Sequence, residues 1–302
     1  MTVYEHVTGK IIKFIEEQHT LPWRKPWAVT KSDAPQMNLA SGRAYQGINM
    51  LLTGCAGYEA PYWLTLNQAN KLKVRLKDGE AKNYTPVVIW NPDSRKKAKE
   101  DDNSESTEGE EGKEKKKSYG RGFYGMACIY NVEQFDGVVY PKTEPIAPKT
   151  FEPIEEAERV VRAMPNLPPI FHNGEGCAYS PMLDRVMMPP RSSFHLGREH
   201  YYSALFHELA HSTGHENRLK RFKGEVDEML FGSTSYSKEE LVAEMASSFI
   251  LNELGIETVD TERNSNAYLA GWLSKLKSDP HFIVEAAPKA AKAANYIFGR
   301  IE

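Results

Sequence analysis

The chain has 302 residues, of which 40% are hydrophobic and 26% charged, with a formal net charge of −3. That is the composition of an ordinary globular protein long enough for two domains; it excludes binding of nucleic acid through a global basic field and leaves only a local basic surface for that purpose. Cys55, Cys128 and Cys177 are odd in number and far apart, which excludes a disulfide framework or a zinc-finger cluster and fits a reducing compartment.

Val3, Val7, Ile11, Phe14 and Ile15 recur at helical spacing and predict a first amphipathic helix. Its mixture of charged and apolar residues is not that of a signal peptide. No apolar run approaches the ~20 residues of a membrane helix, so no membrane partner and a cytoplasmic location are expected. The prolines of TLPWRKPWAVT break the helical pattern. RAYQGINMLLTG and WLTLNQANKLK predict a second and a third helix, YTPVVIW a buried strand, and GFYGMACIYNV its partner. Between these strands, at about 91–121, lies a stretch of mixed charge nearly without apolar residues. It buries too little surface to offset its ordering entropy, so a disordered hairpin insertion is expected. Its KKK end offers cations to nucleic acid, although a solvated loop is the simpler account.

The prolines spaced through YPKTEPIAPKTFEPIEEA mark a linker, placed at 138–150 between a domain of 1–137 and one of 151–302. The second half opens with a helix around Ile154 to Ala163. CAYSPMLDRVMMP reads as strand, turn and strand, and REHYYSALFHELAHSTG as a buried helix with Gly214 at its end. A helix from Lys238 to Leu254 follows, and AYLAGWLSKLKSD and AAPKAAKAANYIF are helical again. The expected class is α+β, with an N-terminal α+β domain and a mostly helical C-terminal domain carrying a small antiparallel sheet.

In HELAH, His207 and His211 lie four apart and share one helix face, with Glu208 beside them. Two imidazoles so placed can bind one divalent metal, Zn2+ by default or another ion such as Mn2+, and leave Glu208 free to take a proton from water. A third ligand is needed. The HExxHxxGxxH pattern fails, because Asn217 stands where its third histidine belongs. The other pattern takes a glutamate from a later helix, and SKEELVAEMASSF supplies Glu239, Glu240 and Glu244. Glu240 and Glu244 share a face, with Glu239 pointing elsewhere. Glu240 is assigned to the metal and Glu244 to a supporting position behind a ligand histidine; the reverse stays open. Glu240 also fits a capping box begun by Ser237, a purely structural role. A structural metal would usually have four protein ligands, whereas three leave a position for water, the catalytic arrangement. Tyr236 is the candidate donor to an oxyanion, with His215 as the alternative.

In the first half, Trp23, Arg24, Lys25, Trp27, Arg43, Tyr45, Trp63 and Lys71 interleave aromatic rings with cations, as single-stranded nucleic acid requires. Tryptophans flanked by prolines serve equally well as core residues.

HELAHSTGH, AYSPMLDRVMMP and EELVAE together resemble the glutamate-type zincin metallopeptidases, specifically the C-terminal domain of ArdC-type antirestriction proteins. PWRKPW, the GxxYxGIN stretch from Gly42 to Asn49, and WLTLNQA resemble the N-terminal domain of those proteins and of TraC-type plasmid primases. The resemblance spans nearly the whole chain apart from the charged insertion. It implies single-stranded DNA as partner, with Asn49 among the binding residues, and Glu208 as the catalytic glutamate. It also implies a plasmid-borne protein that protects incoming DNA from host restriction in conjugation. A host restriction-system protein is the target or substrate it suggests. The alternative is a pure single-stranded DNA shield in which the metal site is structural or unneeded. Primase activity is not expected, since the N-terminal half shows no acidic cluster suited to nucleotide metals.

Overall fold

A computed structural model describes residues 2–23, 35–91, 123–141, 153–222, 234–256 and 266–300. The expected charged insertion falls outside these residues, as do most of the expected linker and Arg24, Lys25 and Trp27.

Helix α1 (Val3–Gln18) opens on a reciprocal capping box between Thr2 and Glu5 and buries Val7, Ile11 and Ile15 along one stripe. A four-stranded sheet follows, built from β1 (Met37–Asn38), β2 (Tyr62–Leu64), β4 (Thr85–Asn91) and β5 (Phe123–Asn131) in the order β1-β2-β5-β4. The β4–β5 pair is antiparallel, with Thr85 opposite Ile129 and Asn91 opposite Phe123, the pairing that the two apolar stretches predict. Helices α2 (Ile48–Gly54) and α3 (Leu66–Lys71) accompany this sheet, and β3 (Arg75–Leu76) pairs with β6 (Phe135–Asp136) beside it.

Two expected helices start later than their sequence patterns suggest. Residues 43–47 precede α2 instead of opening it, and Ala44 bridges Met37. Gly47 has φ 56°, a conformation that any side chain would strain, and a Cβ there would lie 3.5 Å from the backbone of Ala287 and Pro288. Trp63 is in a strand, and α3 begins only after Thr65, whose hydroxyl accepts from Gln68 N while the Gln68 side chain accepts from Thr65 N. That capping box was the readable signal for the true helix start.

The second half contains α4 (Pro153–Ala163), β7 (Ile170–Phe171), β8 (Ala178–Ser180), β9 (Arg185–Met187), α5 (Arg198–Ser212), α6 (Thr234–Leu254), α7 (Asn266–Ser278) and α8 (Phe282–Ile297). The expected β8–β9 hairpin is antiparallel. β7 adds to it in parallel, giving the order β7-β9-β8 with β8 at an edge.

The main core crosses the middle of the sequence. Val7, Ile11, Trp23 and Leu51 belong to one buried cluster with Leu205, Phe206, Leu241, Met245, Trp272 and Ile283. The Thr8 hydroxyl donates to Pro280 O at 2.6 Å, and Lys277 pairs with Glu16 at 2.8 Å, so α1 is fastened to the C-terminal helices. The N-terminal sheet keeps two smaller clusters, one around Leu64, Tyr130 and Phe135 and one around Trp63, Val87 and Ile129. No helix among the described residues is long and apolar enough to cross a membrane.

Candidate metal centre

Helix α5 is buried on most sides, with Tyr201, Tyr202, Leu205, Phe206, Leu209 and Ala210 in the core. Its remaining face carries His207 and His211, one turn apart, and α6 packs against it. The two Nε2 atoms lie 3.1 Å apart. Glu240 brings Oε1 to 3.2 Å from His207 Nε2 and Oε2 to 3.5 Å from His211 Nε2. Two ring nitrogens and a carboxylate, all within 4.8 Å of one another, form a donor set for a divalent metal, and no other such group occurs among the described residues. These residues fit the ion that HExxH implies.

Glu208 is buried, and its Oε2 accepts a hydrogen bond from the backbone N–H of Tyr179 on edge strand β8 at 2.7 Å. The SPMLD turn that follows is pinned from below. The Tyr179 hydroxyl donates to Asp184 Oδ1 at 2.7 Å, and Asp184 pairs with the buried Arg218. Arg218 also donates to Ser212 O at 2.6 Å and Asn166 O at 2.9 Å, so one guanidinium ties the hairpin to the end of α5. Burial, followed by the bond to Asp184, pushes the Tyr179 hydroxyl well above its usual range. Burial alone would raise the Asp184 carboxyl, but the bonds from Arg218 and Tyr179 outweigh it and hold the group low. His215 lies 3.6 Å from Asp184 Oδ2, and its Nδ1 accepts from Asn217 N at 3.2 Å. A Cβ at Gly214 would meet the Phe222 ring at 2.4 Å, so any side chain there would have to displace that ring.

Glu240 lies at the two histidines, where the metal ligand is expected, whereas Glu239 and Glu244 do not sit where they are expected. Glu239 and Glu240 flank the same imidazole: Glu240 faces His211 Nε2, while Glu239 Oε1 lies 3.7 Å from His211 Nδ1. Neighbouring helix positions are about 100° apart, which suffices to meet both sides of a ring lying between them. Glu244 is about 6 Å further along the axis. It is buried, and there it accepts from Trp23 Nε1 at 2.9 Å instead of supporting a histidine. Ser237 is inside α6, which starts at Thr234, so Glu240 does not serve in a capping box. Burial would lower the His211 ring pKa, but Glu239 and Glu240 outweigh it and hold the ring at about 9. Both carboxyls are in turn held low against the cost of their burial, Glu239 by His211 and Arg221 and Glu240 by the two imidazoles. Tyr236 is in the first turn of α6; its side chain lies outside the described residues.

The N-terminal candidates separate into three groups. Trp23 and Trp63 are fully buried, which corrects their expected role as stacking platforms. Trp23 packs edge-on against Trp272, and Trp63 donates to Gln36 Oε1 at 2.6 Å. Asn49 and Tyr45 are partly buried and engaged. The Asn49 amide donates to Val88 O at 2.8 Å and accepts from Val88 N at 2.7 Å, doing for β4 what a neighbouring strand would do. The Tyr45 hydroxyl accepts from Asn38, which exchanges hydrogen bonds with Gln68. Arg43 and Lys71 are exposed on the segments that this Asn38–Gln68 link joins.

A paired-histidine helix, a glutamate from the next helix and an edge strand holding the intervening glutamate define a zincin-like domain. The family described as a zincin-like metallopeptidase matches residues 155–289. The N-terminal domain of anti-restriction factor ArdC matches residues 1–125. The crystal structure of the antirestriction ArdC protein from plasmid R388, Mn(II)-bound, is 30% identical with a TM-score of 0.70, covering 98% of this chain and 97% of that one. The metal-free structure of the R388 protein is 29% identical with a TM-score of 0.66 and the same coverage. The protein y4eC of Sinorhizobium fredii (strain NBRC 101917 / NGR234) is 31% identical over 98% of this chain and 91% of its own length. A DNA primase TraC of Escherichia coli is 33% identical over 97% of this chain, which spans 20% of that primase. The chain belongs to the ArdC antirestriction family.

Proposed function

We propose that this protein binds single-stranded DNA through its N-terminal half, guards incoming DNA against host restriction in the cytoplasm, and carries a divalent-metal centre of the peptidase type. The observation that carries this reading is the convergence of His207, His211 and Glu240 beside Glu208. The two Nε2 atoms and the Glu240 carboxylate would hold the ion. Zn2+ is the ordinary occupant of such a donor set, and Mn2+ is the ion in the R388 relative. When bound, it supplies Lewis-acid polarisation of a scissile carbonyl and a more acidic water.

The chain's own residues supply the remainder. With Glu208 Oε2 engaged by Tyr179 N–H, Oε1 is the oxygen that takes a proton from water and returns it to the leaving amine. The open edge of β8 offers backbone groups along which an extended peptide lies. Tyr236 donates to the developing oxyanion, with His215 as the alternative donor. Arg43 and Lys71 meet DNA phosphates, joined by Arg24, Lys25 and Trp27, while Trp23 and Trp63 are released from that role.

The test is protection of incoming DNA in a conjugation assay, comparing native protein with Glu208→Ala whose metal content and DNA affinity have been measured. Loss of protection with both intact makes hydrolysis the mechanism and directs the search to a host restriction-system substrate. Full protection overturns that mechanism and leaves a single-stranded DNA shield.

A further inference from the structure

The two histidines of the HELAH stretch are held in different ways. The Nδ1 atom of His207 is buried without a hydrogen-bond partner. His211 Nδ1 instead faces Glu239 at 3.7 Å, and Glu239 is gripped by Arg221, Nε to Oε2 at 3.2 Å and Nη2 to Oε1 at 2.5 Å. Arg221 also donates to Ala210 O at 2.9 Å and Thr213 Oγ1 at 2.5 Å, so it is braced against the last turn of α5. The side chains of Arg221 and Glu239 are 9% and 12% exposed. A carboxylate this buried is tolerated because the guanidinium compensates its charge.

We propose that Glu239, backed by Arg221, is the positioning residue of the metal centre: it takes the Nδ1–H of His211 and thereby reserves Nε2 as the unprotonated nitrogen that faces the ion. A neutral imidazole has one N–H, so whichever group accepts it decides which nitrogen is left to ligate. The same carboxylate stops the ring from turning and makes it a stronger donor. The inference rests on reading His207, His211 and Glu240 as the ligands. A simpler role, in which Glu239 and Arg221 merely tie α5 to α6, would stabilise the fold without affecting the metal.

The experiment uses the full chain and measures Zn(II) affinity by chelator competition, together with the visible spectrum of the Co(II)-loaded protein. Glu239→Gln is expected to weaken Zn(II) binding by about 10–100-fold and to shift the Co(II) bands, compared at temperatures where the metal-free variant, melting lower because Arg221 has lost its counter-charge, is still folded. Glu239→Asp should recover part of the affinity. Binding by Glu239→Gln within twofold of native, with an unchanged Co(II) spectrum, would reduce the pair to a helix tie and overturn the proposal. Should Glu239→Gln fail to fold, proton spectra of the native zinc-loaded chain decide: a His211 Nδ1–H that is shifted downfield and slow to exchange supports the proposal, and one that exchanges freely at an ordinary shift overturns it. A native chain that binds Zn(II) no better than its His207→Ala variant would overturn the ligand reading itself. That result is visible before any Glu239 variant is made.

Discussion

The helix pair α5–α6 and the N-terminal sheet face opposite demands. Around the histidines, polar groups are buried or half-buried and answer one another: Glu208 to a strand backbone, Glu239 to Arg221, Asp184 to Arg218. In the N-terminal half Trp23 and Trp63 have gone into the core, and the cations Arg43 and Lys71 stand in solvent. A metal centre needs atoms held to fractions of an ångström, so its supports are buried and paired. A surface for a flexible polyanion needs charge more than precision.

The sharpest way to break this contrast is at Asp184. Removing its carboxylate leaves Arg218, whose side chain is 1% exposed, without its counter-charge. Asp184→Ala is therefore expected to cost about 3–5 kcal/mol, measured by denaturant unfolding. A loss below ~1 kcal/mol, the level of a surface pair, would mean that the clamp under the SPMLD turn is no more than decoration.

The joint between the halves comes next. Trp23→Phe removes the N–H that Glu244 accepts and is expected to cost about 1–3 kcal/mol. Unfolding should still be one transition by fluorescence and by circular dichroism, because Trp23 and α1 share the C-terminal core. Two separated transitions would show that the halves fold independently.

A pH measurement sharpens the buried side. In the metal-free protein, His211 is held at about 9. Its protonated form therefore adds stability that is fully present below the unfolded value of ~6.5 and is lost as pH rises through about 9. A metal needs the neutral ring, so loading at pH 7.5 should release about one proton, and release should fade above pH 9. Calorimetry in buffers of differing ionisation enthalpy counts it.

The smallest effect belongs to the exposed side. Arg43→Ala and Lys71→Ala should each weaken single-stranded DNA binding modestly and reduce its salt slope by about 0.7, with metal affinity unchanged. An unchanged slope in both variants would remove this surface from the DNA interface.

How much of this was legible differs between the same two regions. The histidine pair and Glu208 are legible in the HExxH motif, whose helical spacing puts both imidazoles on one face, and the glutamate on the next helix in the known pattern that completes such a site. Glu239 was hidden because the side of His211 that each glutamate meets depends on how α5 and α6 pack. Trp23 and Trp63 carry no mark that separates a stacking ring from a core ring, since both roles select the same residue. Tyr62–Leu64 reads as helix only if the Thr65–Gln68 capping box beside it is overlooked. The fastening of α1 to the C-terminal helices rests on contacts between residues far apart in sequence, such as Thr8 with Pro280, which no local pattern announces.

The hydrogen bond from Tyr179 to Glu208 comes from the main chain. Every residue except proline carries the same N–H, so the bond to Glu208 itself does not depend on the side chain at 179, whose hydroxyl serves the separate clamp with Asp184 and Arg218. What that bond cannot tolerate is a shift of one place along β8, which would present a carbonyl or nothing to Glu208. Among diverging relatives, this support would be preserved as a spacing and a strand register, and a tally of conserved side chains would pass over it.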